Sequence, residues 1–106
     1  EIIGVNRFPM NDDETVITLS KKSYASQLLL YKKIIISIKE KNILPTTNEE
    51  WTRKPYKRSE LEELSTITEK MDIEEVEKRI RSTYYPGKPS PFIKFFNYKF
   101  EYNPNR

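Results

Sequence analysis

With 106 residues, the chain is long enough for one domain, or for one domain with part of a neighbour, and 36% apolar against 33% charged residues allows only a lean core. It contains no Cys and no His, which excludes disulfide and thiolate chemistry and any internal Ser–His or Cys–His catalytic pair, and removes the commonest zinc ligand. The net charge of +3 is too small to dictate a partner, and two glycines, Gly4 and Gly87, cannot build a Gly-rich phosphate loop.

The distribution of charge says more than its sum. Residues 21–58 carry ten Lys/Arg against three acids, and residues 59–81 carry eight acids against four bases. Matched or solvated faces explain this more plainly than a polyanion site, so nucleic acid is not expected as a partner beyond weak, salt-sensitive contact. The apolar runs Leu28–Leu30 and Ile34–Ile36 are interrupted by Lys32 and Lys33 and fall far short of the ~20 residues of a membrane span. No signal peptide is visible. The lack of Cys fits a reducing compartment, so a cytoplasmic location is expected. Because it begins at Glu1, the sequence reads as a portion of a longer chain.

In chain order, Ile2, Ile3, Val5 and Phe8 resemble the end of a strand that Pro9 stops. Asn11, Asp12, Asp13 and Glu14 then read as a helix start, with Asn11 or Asp12 as the cap. Ile17, Tyr24, Leu28, Tyr31, Ile35 and Ile38 follow at spacings of seven, four, three, four and three, the stripe of one helix over 14–41. Leu29, Ile34 and Ile36 widen that face, so it is expected to be covered, from within the chain or by another domain or subunit. Pro45 closes the unit. Residues 44–58 are a polar connector whose Trp51 and Tyr56 are expected to be pinned to a core, or else to form a stacking platform.

Two short helices are expected next. Ser59 with Glu62 matches a capping box, and Asp72 with Glu75 repeats the geometry. Ile73, Val76 and Ile80 form the inward stripe of the second, which stops before Tyr84-Tyr85-Pro86-Gly87. Phe92–Phe96 and Tyr98–Tyr102 read as a β-hairpin turning near Asn97, with Phe92 and Phe96 on one face of the first strand and Ile93 and Phe95 on the other. The expected fold class is α+β, with a long N-terminal helix, two short helices and a C-terminal β-hairpin. Residues 1–44 form one part and 45–106 the other.

The run Arg58-Ser59-Glu60-Leu61, then Arg79-Ile80-Arg81-Ser82-Thr83-Tyr84-Tyr85-Pro86-Gly87, then a hairpin from Pro91 to Tyr102, resembles the C-terminal region of N-formyltransferases that act on nucleotide-linked amino sugars, relatives of methionyl-tRNA formyltransferase. Pro9, Asp12, Asp13, Glu14 and Thr15 resemble the segment that opens the long helix at the end of that family's catalytic domain. The resemblance implies a parent enzyme that transfers a formyl group from N10-formyltetrahydrofolate, with an Asn–His–Asp catalytic set and a folate site in a preceding Rossmann-like domain. No catalytic residue can be carried over to this chain, which is expected to bind no cofactor itself. The resemblance also implies a homodimer joined through the C-terminal region.

Among candidate sites, the carboxylate groups Asp12/Asp13/Glu14 and Glu74/Glu75/Glu77 are explained as acids in first helical turns, and no metal site is expected. Arg81, Tyr84 and Tyr85 are the best ligand-binding candidates, two aromatics to stack a base beside a guanidinium for phosphate. The plainer reading is a packed turn under the hairpin. Phe92 and Phe96 are expected to form an apolar self-association patch. Two alternatives stand beside the sugar enzyme. One is the matching region of a methionyl-tRNA formyltransferase-like protein, against which the single hairpin argues. The other is a small helical interaction module without formyl chemistry.

Overall fold

The computed structural model describes residues 1–105 and confirms the α+β class. Its elements are α1 (Val16–Lys41), α2 (Arg58–Ser65), α3 (Ile73–Thr83), β1 (Phe92–Phe95) and β2 (Tyr98–Glu101). They fall into two compact units, one of Glu1–Asp13 with Thr18–Lys54, the other of Glu14–Ile17 with the chain from Pro55 onward.

In the first unit the N-terminal segment is extended but forms no strand, contrary to expectation. It has one backbone bond to a neighbouring segment, Thr47 N–H to Ile2 O at 3.0 Å, and otherwise lies on a helix, which offers no ladder. Asn6 Nδ2 donates to Ser26 Oγ at 2.8 Å, and Gly4 lies over Leu30 and Ile34 so closely that an added Cβ would meet Leu30 Cδ1 at 3.0 Å. Glycine at position 4 is therefore a condition of the close approach. Asp12 and Asp13 form a turn before α1 rather than its first turn, which contains no acid. The helix ends where Asn42 turns left-handed (φ 53°) with its N–H on Ile38 O.

Within the chain, the covered face of α1 takes in only Ile34 of the predicted apolar face. The N-terminal segment packs against Ser26, Leu30, Ile34 and Ser37, while Tyr24, Leu28, Tyr31, Ile35 and Ile38 stay exposed. Both faces have helical spacing. Asn6 on Ser26 and the lack of a side chain at Gly4, over Leu30 and Ile34, hold the extended segment on one of them.

In the second unit, α2 starts two residues earlier than its Ser59 suggests. Glu60 reaches back to accept the N–H of Lys57 at 2.5 Å, making Lys57 the cap and Ser59 a residue within the helix. In α3 the expected cap holds, with Glu75 N–H on Asp72 Oδ1 at 2.8 Å, and the helix stops before Tyr84 as read. Its inward stripe is Val76, Arg79, Ile80 and Thr83; Ile73, expected inside, opens the first turn and is 72% exposed.

The core of this unit is small. Pro91 is fully buried and Phe92 is 7% exposed, beside Ser65 and Thr83. The two hydroxyls tolerate burial because each donates to the carbonyl one turn back, Ser65 to Leu61 O and Thr83 to Arg79 O. A parallel bridge, Thr66 to Phe92, with Ile67 N–H on Phe92 O at 2.8 Å, fixes the start of β1 beside the end of α2.

The hairpin register pairs Ile93 with Phe100 and Phe95 with Tyr98 on one face, and Phe92 with Glu101 and Lys94 with Lys99 on the other. Its two-residue turn is Phe96-Asn97, both left-handed at φ 49° and 68°, the geometry of a type I′ turn. Asn tolerates that region and Phe does not. Replacing the pair with Asn-Gly is therefore expected to raise stability by about 1 kcal/mol, since neither new residue is strained there. Urea denaturation followed by far-UV circular dichroism checks this, and a lower midpoint would contradict the turn assignment.

Candidate functional site

The turn after α3 is the first place to look for the expected ligand. Tyr84 caps the helix through its N–H on Ile80 O, and its ring meets Tyr102 edge to face at 5.4 Å. Lys88 N–H closes on Tyr85 O at 3.1 Å across Pro86-Gly87, where Gly87 has φ 79°. Proline first and a positive-φ glycine second is the signature of a type II turn. The three candidates are thereby separated in role. Tyr84 is spent on packing the hairpin to the end of α3, while Arg81 and Tyr85 remain at the surface.

The hairpin corrects the expected apolar patch. Phe92 is buried and cannot present itself to a partner; the Nζ of Lys99 lies over its ring at 4.3 Å from the centroid. Phe96 leaves the strand for the turn, where it is 81% exposed and meets Phe95 edge to face at 4.5 Å. The contiguous exposed aromatic surface is instead Phe95, Tyr98 and Phe100 on one face, with Phe96 at its tip. Alternation alone gives two faces for each strand; the bond from Ile67 to Phe92 determines which one turns inward.

The connector also differs from expectation. Trp51 is 87% exposed and Tyr56 is exposed too, so neither ring is pinned to a core.

An open groove of about 280 Å³ lies in the first unit, lined mainly by Ile3, Val5, Leu30 and Ile34, with Lys33 and Thr47 at its polar margin. Sequence reasoning missed it, because it exists only where the N-terminal segment and residues 45–47 meet α1. Nearby, Arg7 and Glu49 form a bidentate pair, both bonds 2.9 Å. The hydrogen bond and charge of Arg7 hold the Glu49 carboxyl below its ordinary pKa. Glu49 thus contributes stability above the ordinary carboxylate pKa, and loses it as pH falls through the depressed value. Both groups are solvated, so the contribution is small. NMR titration is expected to give Glu49 a midpoint below the ordinary carboxylate value, raised again by Arg7→Met; an unchanged midpoint in that variant would remove the pair.

Among the described residues, no three His, Cys, Asp or Glu side chains converge as metal ligands would, and no helix is long and apolar enough to cross a membrane. Comparison with family models, with curated proteins and with solved structures finds no match for this chain.

Proposed function

We propose that this chain is the C-terminal, non-catalytic portion of an N-formyltransferase that uses N10-formyltetrahydrofolate to formylate a nucleotide-linked amino sugar. The supporting observation is the order of elements in the second unit. Arg58-Ser59-Glu60-Leu61 opens α2, Arg79-Ile80-Arg81 runs into the end of α3, the Tyr84–Gly87 turn follows, and a hairpin begins at Phe92. This is the order that the resemblance implies. Lacking His, the 106 residues contribute no Asn–His–Asp set, and the folate and the chemistry belong to a preceding domain. On this reading Arg81 and Tyr85 are left to touch the nucleotide, and the protein works in the cytoplasm.

The test has two parts. The reading frame that contains this sequence should encode an Asn, a His and an Asp in a domain ahead of Glu1, and its product should formylate an amino-sugar nucleotide. The 106 residues alone should not turn over N10-formyltetrahydrofolate. A frame without the set, or turnover by the short chain, removes the proposal.

The same reading makes the chain a homodimer through its hairpin. The partition of faces supports this, with aromatics on one side and Lys94, Lys99 and Glu101 on the other, so that two copies can pair their aromatic faces and leave the charges in water. Sedimentation should show a dimer at high micromolar concentration, and Phe95→Ser/Phe100→Ser should be monomeric. A monomeric wild type, or a dimeric double variant, would contradict the hairpin interface.

A further inference from the structure

The tip of the hairpin is where side chain and backbone suit each other least. Phe96 opens the turn at φ 49°, a region that is costly for any residue with a Cβ and most costly for a bulky one. The ring also stands in solvent, so no burial within the chain offsets that cost. It meets Phe95 edge to face, and Phe95 is itself exposed. Strain held under an exposed aromatic residue points to a contact outside the chain.

The side chains just behind the tip narrow the partner. Phe95 pairs with Tyr98, and the next pair is Lys94 with Lys99, directly opposite each other. Like charges so placed repel, a second local cost at the same end of the hairpin. Lys99 is partly answered by Glu101 Oε1 at 3.4 Å, whereas Lys94 has no ion pair among the described residues. At about 3.3 Å per residue, the tip reaches roughly 7 Å beyond the lysine pair. An apolar group that enters the boundary between headgroups and acyl chains lies about 5–10 Å deep, so lysines set back by that distance meet the phosphates. Tyr98, exposed beside the tip, adds an amphipathic ring of the kind that this boundary favours.

Other partners answer these features less well. A second copy meeting this one tip to tip would bring two lysine pairs together. Successive bases of a single strand stack on rings in parallel tiers, and the planes of Phe95 and Phe96 stand 66° apart. An anionic lipid surface offers hydrocarbon to the ring and phosphate to the lysines at once.

We infer that the Phe96 tip of the hairpin, backed by Lys94 and Lys99, is a shallow insertion site for an anionic lipid surface. The contact is peripheral and needs no membrane-spanning segment. One ring and two lysines supply little attraction, so it is reversible. It goes beyond the formyltransferase reading, and neither depends on the other.

The experiment is co-sedimentation of the 106-residue chain with vesicles of phosphatidylcholine alone and of equal parts phosphatidylcholine and phosphatidylglycerol, at low and at physiological salt. Binding is expected to the anionic vesicles alone, and it should weaken as salt is added. Exchanging Phe96-Asn97 for Asn-Gly should lower the partition coefficient about tenfold, the scale of one large apolar side chain. That exchange is expected to stabilise the hairpin, so unfolding cannot account for the loss. Lys94→Gln should lower it about fivefold, the share of one lysine at an anionic surface. In a Trp51→Phe background, the emission of Phe96→Trp should move to shorter wavelength on the anionic vesicles. No sedimentation with either vesicle overturns the site. So does binding that the Asn-Gly exchange leaves unchanged, or an emission that does not move. Equal binding to both vesicles, or binding indifferent to Lys94→Gln, overturns the role of the lysines. A dimer that the Asn-Gly exchange abolishes, in a chain that binds no vesicle, gives the tip to a second copy and overturns the inference.

Discussion

Arg79→Ala is expected to destabilise the second unit by about 2–3 kcal/mol, the range for hydrogen bonds to a charged group and for the acceptors left without a partner. The reason is position. From the middle of α3, Nη1 of Arg79 lies within 3.1–3.4 Å of the carbonyls of Glu63, Leu64 and Thr66, while Nε donates to Glu75 Oε1 at 2.8 Å. The last carbonyls of a helix have no intrahelical donor, so a cation presented by the neighbouring helix caps α2 and ties it to α3 at once. The Arg79 side chain is only 23% exposed, so water replaces these bonds poorly. Lysine keeps the charge but cannot aim two nitrogens in different directions, and Arg79→Lys should recover only part of the loss. Urea denaturation read by the near-ultraviolet dichroism of the Tyr84–Tyr102 pair measures it. A loss below about 0.5 kcal/mol, the scale of an ordinary surface substitution, would mean that the contact is ornamental.

Phe92→Ala is expected to cost about 3–5 kcal/mol, enough to leave the second unit largely unfolded, given how little else it buries. Phe92 and Pro91 sit where the end of α2, the end of α3 and the start of the hairpin converge. Removing the ring leaves a hole that three elements must collapse around, and it also takes away the surface under Lys99. Phe96→Ala is the control. One strand position further along than Phe95, the same side chain lies in solvent and in a strained turn, so its loss should be near neutral or favourable. Thermal denaturation of the two variants should therefore separate sharply. Similar melting curves would show that Phe92 is not part of a core.

Sequence by itself determined the elements. The Asp72 cap, the uninterrupted helical run that became α1, the stop before Tyr84 and the turn at Asn97 all follow from local chemistry: a side chain reaching its own backbone, the absence of Gly and Pro, and a residue tolerant of positive φ. What local chemistry leaves open is which side of an element turns inward. Alternation in β1 and helical spacing in α1 each offer two faces; the face of β1 expected outward turned inward, and the face of α1 covered within the chain takes in only Ile34 of the predicted one. The N-terminal segment lies on the face of Ser26, Leu30 and Ile34, held by Asn6 on Ser26 and by the close approach to Leu30 that only glycine at position 4 permits. A backbone bond from Ile67, 25 residues earlier in the chain, turned Phe92 inward and left Phe95, Tyr98 and Phe100 outside. The use of Arg79 likewise depends on the fold, which brings it to carbonyls 13 to 16 residues earlier in the chain. A periodic pattern is a property of neighbours along the chain, whereas burial is decided by neighbours across it, and only the tertiary structure supplies those.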